Sequence, residues 1–142
     1  MQTFLPYADF PGSAIVLDRK RLGKQRVECC QILNTLLGYS TGWFFHPAVK
    51  LWRGYEYALC ESGIRICREW IDRGYNDNCL SELRLDLEVV KSRGGELKLP
   101  PWFSNPLFHA SHRANLLRKD FAHYSQFGWV EDPTMPYYWP EV

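Results

Sequence analysis

The sequence predicts an all-α fold: a compact single-domain bundle of about three long helices, with irregular loops and an aromatic C-terminal tail. Three observations predict it. Apolar residues recur at the three- and four-residue spacing of amphipathic helices over three long stretches. No two alternating segments stand out as strands that could pair. The chain has 142 residues, for which one domain is the natural reading. A domain of that size buries roughly 68–70% of its unfolded surface and needs no disulfide to hold together.

The first helix is expected from Ala14 to Leu37. Ser13 serves as its N-cap, Ile15, Leu17, Leu22, Val27, Ile32 and Leu36 follow the helical repeat, and Gly38 ends it. Gly23 interrupts this stretch, costs about 1 kcal/mol relative to alanine, and marks a candidate kink. Residues 39–45 form a loop of glycine and aromatics. His46-Pro47 opens the second helix, with proline at the first helical position. Val49, Trp52, Leu59, Ile66 and Trp70 supply its apolar stripe, and Gly74 after Arg73 is its stop signal. Gly54 and Gly63 fall inside it, where they would let another helix come close. Residues 79–92 are ambiguous, because Leu83, Leu85 and Leu87 alternate with charged residues as in a strand. A helix is preferred there, since no second strand is in view. Residues 93–106 read as loop. The third long helix runs from about Pro106 to His123, and the tail from Gly128 is irregular and packed on the body.

Hydrophobic residues at 46% and charged residues at 23% are ordinary globular usage. Aromatics reach 15%, which suits either a core or a surface on which bases stack. The net charge is only +1, whereas a protein that binds nucleic acid through bulk charge is more basic. A DNA-binding surface here must therefore come from segregated charge. The five cysteines, Cys29, Cys30, Cys60, Cys67 and Cys79, are odd in number and lack Cys-x-x-Cys spacing. They read as reduced, mostly buried thiols of a cytosolic protein, and no metal site is expected. No signal peptide and no membrane span are visible.

Three segments can carry chemistry. From Arg19 to Arg26, five of eight residues are basic, and Glu28 follows at once. On a helix Arg21, Lys24, Gln25 and Glu28 share a face. Basic residues position a phosphate backbone, and one acid among them suits acid or electrostatic work on a sugar. The alternative is a solvated face on which Glu28 simply pairs with Lys24. The second segment places His109, His112, Arg113 and Asn115 together on a polar helical surface, with Arg118 and Lys119 following. Phosphate contacts and an ordinary polar face are both open there; a metal site lacks an acidic or cysteine partner. The third runs from Gly42 to Tyr55. Its Trp52 and Tyr55 suit the core, Arg53 suits phosphate, and His46 can cap the helix or enter a site that works near neutral pH. An α-amino group ordinarily titrates near 7.7–8.0, so a chain terminus is itself a candidate amine nucleophile.

Met1 to Tyr7, Leu17 to Glu28, His46 to Tyr55 and Ser111 to Tyr124 resemble the corresponding stretches of the pyrimidine-dimer DNA glycosylases, in an uncharacterised bacterial and phage branch. Arg73-Gly74-Tyr75 and the aromatic tail add to the resemblance. It implies a compact helical domain and a DNA repair-type glycosylase with associated AP lyase activity, acting on damaged or modified pyrimidines in duplex DNA. It further implies that an N-terminal amine attacks the sugar C1′ and that Glu28 assists. Residue 2 is Gln, whose bulk should block removal of the first residue, so the amine is expected on Met1. The residues expected at the DNA are Gln2, Arg19, Arg21, Lys24, Gln25, Arg26, His46, Arg53, His109, His112, Arg113, Arg118 and Lys119. A monomer without cofactor, metal or membrane contact is expected, cytoplasmic and nucleoid-associated when bound to double-stranded DNA. A non-catalytic sensor of distorted or modified DNA, and an enzyme acting on free nucleotides, remain the alternatives.

Overall fold

The computed structural model describes residues 1–142 and contains helices without strands. Seven α-helices follow one another: α1 (Phe10–Val16), α2 (Arg19–Leu36), α3 (Pro47–Trp52), α4 (Glu56–Asp72), α5 (Leu80–Ser92), α6 (Pro106–Lys119) and α7 (Phe121–Tyr124). Short 3-10 turns lie at Pro101–Ser104 and Ser125–Phe127. The ambiguous stretch 79–92 is helical, as α5, and the tail from Gly128 is irregular. No helix is long and apolar enough to cross a membrane.

Each of the three expected long helices is broken once, giving six, and α5 brings the count to seven in place of about three. The first break is at Leu17-Asp18, where both residues turn extended. Asp9, not Ser13, caps α1, accepting from the Gly12 N–H at 3.2 Å. Tyr124 holds the break: its hydroxyl accepts the Asp18 N–H at 3.0 Å and donates to the Asp18 carboxylate. Burial alone would raise the Asp18 carboxyl, but the bonds from Tyr124 and Arg21 outweigh it and hold it below its ordinary value. Apolar periodicity runs through this break because Leu17 and Leu22 enter the same small core with Ile66, Leu116 and Leu117. The second break is at Gly54, whose φ of 88° lies in the left-handed region that only glycine adopts freely. The third is at Asp120, whose side chain accepts the His123 N–H and caps α7.

Gly23 does not end the helix. It sits within α2, where an added Cβ would lie 2.9 Å from the Trp70 ring of α4. Helix α4 packs on α1, α2 and α5. The larger core gathers Cys29, Ile32 and Leu33 of α2, Trp52 of α3, Leu59 of α4, Leu83 of α5 and Phe108 of α6. Burying an aromatic of this kind contributes about 1.5–3 kcal/mol. The indole N–H groups remain satisfied: Trp52 donates to the Thr3 hydroxyl and Trp102 to the Leu51 carbonyl, each at 3.0 Å. All five cysteines are free and buried, and burial pushes the Cys29 and Cys60 thiols up to about 12.

The N-terminal segment has no strand beside it. Buried backbone groups must nevertheless find partners, and here side chains of α2 and α6 supply them. Gln25 accepts the Phe4 N–H at 2.8 Å and donates to the Gln2 carbonyl at 2.9 Å. His112 Nδ1 accepts the Leu5 N–H at 3.0 Å. His109 bridges the carbonyl oxygens of Leu5, at 2.7 Å, and Phe103, at 2.6 Å. Arg113 donates to the Pro6 carbonyl at 2.7 Å. The segment is thereby threaded between two helices that are distant in sequence.

Candidate active-site cavity

That threading sets the first residues against Glu28. The Gln2 N–H donates to Glu28 Oε2 at 3.1 Å, and Lys24 Nζ lies 3.5 Å from Glu28 Oε1. Glu28 is 7% exposed, so its two oxygens are occupied by one backbone donor and one lysine whose side chain is 70% exposed. The Lys24 pair of the alternative reading is present, but on a carboxylate that is buried rather than on a solvated face.

Met1, Gln2, Gln25 and Glu28 form one wall of a cavity of about 370 Å³. Lys20, Arg21, Lys24 and Lys119 supply its positive charge, and His46, Tyr137 and Trp139 also line it. Burial, and then the charges of Arg21, Arg118, Lys24 and Lys20, hold the Lys119 ammonium below its ordinary range. Burial raises the Tyr137 phenol to about 12, so it stays neutral at physiological pH. His46 is held below its ordinary value by burial and then by the N-terminal charge, with Glu28 pulling the other way. The cap reading of His46 also stands, because its Nδ1 accepts the Ala48 N–H at 3.0 Å. A cavity with a carboxylate, an amine and a cationic lining is suited to an anionic sugar-phosphate with a reacting carbon at its base.

The structure redistributes the residues expected at DNA. Arg21, Lys24 and Lys119 line the cavity, whereas Arg19 and Arg53 are exposed and do not line it. Gln2 and Gln25 line the cavity but are 7% and 2% exposed and serve the N-terminal segment. His109 and His112 are corrected outright. They do not lie on a polar surface but are 4% and 1% exposed, with their rings bonded to Leu5 and Phe103. Asn115 is likewise fully buried. Arg26 turns away from the cavity, pairs with Asp77 at 2.6 Å and stacks 4.4 Å from the Trp70 ring. Arg113 pairs with Glu131 as well as Pro6. Arg118 binds Asn115 and the Pro133 carbonyl, which ties down the tail. These guanidinium groups are engaged within the protein.

Sequence reasoning missed Lys20, Tyr137 and Trp139. Lys20 belonged to the basic run already singled out. The aromatic density of the tail signalled the other two, but the order of residues did not show that Tyr137 packs against Phe4 and His112 and Trp139 against His46.

A family model described as pyrimidine dimer DNA glycosylase matches residues 1–83, the span that contains the N-terminal segment, the basic run and Glu28. No curated protein and no solved structure matches the chain.

Proposed function

Because the chain belongs to the pyrimidine dimer DNA glycosylase family, we propose that it removes damaged or modified pyrimidines from duplex DNA and then cleaves the strand as an AP lyase. The observation that carries the proposal is the 3.1 Å bond from the Gln2 N–H to Glu28 Oε2, which sets the chain start and a buried carboxylate on one wall of a cation-lined cavity. Lys20, Lys24 and Lys119 bind flanking phosphates. The damaged nucleotide leaves the stack, at a cost that is smallest where pairing is already weakened.

The amine of Met1, in its neutral form, then attacks C1′. The C1′–N bond breaks, and the base departs with the electron pair and takes up a proton. The C1′–O4′ bond then breaks, its electrons stay on O4′, which takes up the remaining amine proton, and the nitrogen lone pair closes the imine. Glu28 steers the amine, favours the positive charge that develops at C1′, and accepts the C2′ proton in the elimination. The C3′–O bond breaks, and the 3′ phosphate leaves with its electrons. Hydrolysis of the imine frees the enzyme. The neutral Tyr137 and Trp139 supply the apolar wall against which an extruded base rests.

The test is borohydride trapping with abasic and dimer-containing duplexes, followed by mapping of the adduct to the peptide that begins at Met1. No adduct under any condition would remove the lyase step. A second reading, a non-catalytic sensor on the same fold, is favoured by one observation: the Met1 side chain packs against the main core, which restrains the amine. It predicts salt-sensitive binding without strand cleavage.

A further inference from the structure

The loop between α2 and α3 presents Trp43, Phe44 and Phe45 to water, with exposures of 56%, 43% and 78%. None of the three lines the cavity. They surround an open hollow of about 680 Å³, which they share with Thr41 and His46. His46 also lines the cavity, so the hollow and the cavity meet at one side chain.

The loop is held at its base and, through the Phe44 and Trp43 carbonyls, along its backbone, while its rings stay exposed. Thr35 Oγ1 donates to the Gly42 carbonyl at 2.5 Å. The Arg53 guanidinium donates to the Phe44 carbonyl at 3.3 Å and lies 4.6 Å from the Phe44 ring. The Trp43 ring meets His46 edge-on at 5.7 Å, and Phe44 meets Phe45 edge-on at 4.9 Å. Trp43 holds a φ of 63°, the one non-glycine residue in the left-handed region. Such backbone strain collects at working sites. The tail aromatics differ: the Trp129 indole donates to the Tyr7 hydroxyl and its ring stacks on Tyr124.

We propose that this loop is a stacking wedge, with Phe45 at its edge entering the base stack beside the nucleotide held in the cavity. The occupant of the hollow is then an unstacked base of the same duplex. The inference rests on the proposed function. Three observations carry it. The aromatic hollow adjoins the cavity at His46, which lines both. Arg53 places a cation on the aromatic patch itself, suited to the phosphate of the step being opened. Three adjacent rings offer π faces that any base can stack on, and apolar side chains of this size open base steps.

The experiment places 2-aminopurine, whose fluorescence rises on unstacking, next to the lesion in a duplex. Wild type and Phe45→Ala are compared at saturating protein. The second readout is the ratio of turnover on the paired duplex to turnover on a duplex with a pre-opened bubble at the lesion. Wild-type binding is expected to raise the fluorescence. In Phe45→Ala the rise shrinks severalfold and the turnover ratio falls about tenfold, equivalent to about 1.4 kcal/mol. An unchanged signal and ratio would overturn the wedge and leave the aromatics as a surface for another protein. Equal losses on both substrates would overturn it as well. Wild type that unstacks DNA through Phe45 yet releases no base would instead sink the glycosylase reading alone. Wild type that neither binds nor unstacks DNA would remove both.

Discussion

Acidifying the protein should release the N-terminal segment through His112. Its Nδ1 must be unprotonated to accept the Leu5 N–H at 3.0 Å, and the ring is 1% exposed. Burial, and then the neighbouring His109, lower its pKa to about 3 from an ordinary value of 6.5. In the unfolded chain the ring takes its proton below about 6.5, and in the folded chain only below about 3. Between those limits the unfolded state binds more protons, so the contribution is complete above pH 6.5 and is lost as pH falls towards 3. From pH 7 to pH 5 the loss comes to about 2 kcal/mol. The assay is urea unfolding at pH 7, 6 and 5 for wild type and His112→Asn, whose carboxamide oxygen can accept from Leu5 without titrating. The variant should be less stable at pH 7, because ring packing is lost, but its stability should change by about 2 kcal/mol less over the same interval. His46 and His123 are common to both proteins and cancel. Parallel pH dependences for the two proteins would refute this account of the segment's anchorage.

Three further outcomes follow from the geometry. Glu28→Gln should retain DNA binding in a gel-shift titration but lose turnover by about a hundredfold or more, as expected for a group that handles protons; equal turnover would end its assignment. Gly23→Ala should lower stability by about 1–3 kcal/mol in urea despite alanine's better helix propensity, because the new methyl lies 2.9 Å from the Trp70 ring. Arg26→Met should cost about 1.5–3 kcal/mol, because the Asp77 carboxylate loses its charged partner and keeps only backbone donors. Asp77 also accepts the Cys79 and Leu80 N–H groups, so far-ultraviolet circular dichroism should record loosening at the start of α5.

The helical class and most of the apolar face were legible because burial on α2, α4 and α6 repeats at helical spacing. The basic run on α2 was legible for the same reason, since Arg21, Lys24 and Glu28 share a face by geometry alone. What stayed hidden depends on contacts distant in sequence. The spacing of His109, His112 and Arg113 shows that they lie close together on α6, but not what covers them. The covering element is the N-terminal segment, 104 residues from His109 and 107 from His112 and Arg113. It lacks a neighbouring strand and draws its hydrogen bonds from those polar side chains. Arg26 shares the basic run with Lys24, yet helical geometry turns it towards Asp77, a partner on a loop that no local pattern announces. Gly54 and Gly63 look alike in the sequence. Only the first ends a helix, whereas the second lets Leu83 and Cys29 pack close to α4.

The bond between Leu5 and His112 also orders events during synthesis. The first residues leave the ribosome 107 positions ahead of the histidine that holds them. At roughly 5–20 residues per second, that interval is about 5–20 s. Throughout it the N-terminus has no α6 to dock against, and Glu28 lacks the Gln2 N–H that this docking delivers. Assembly of the corner between the first residues and Glu28 therefore waits for the last third of the polypeptide, and a truncated translation product that stops before α6 would carry the residues matched by the family model without the geometry that unites them.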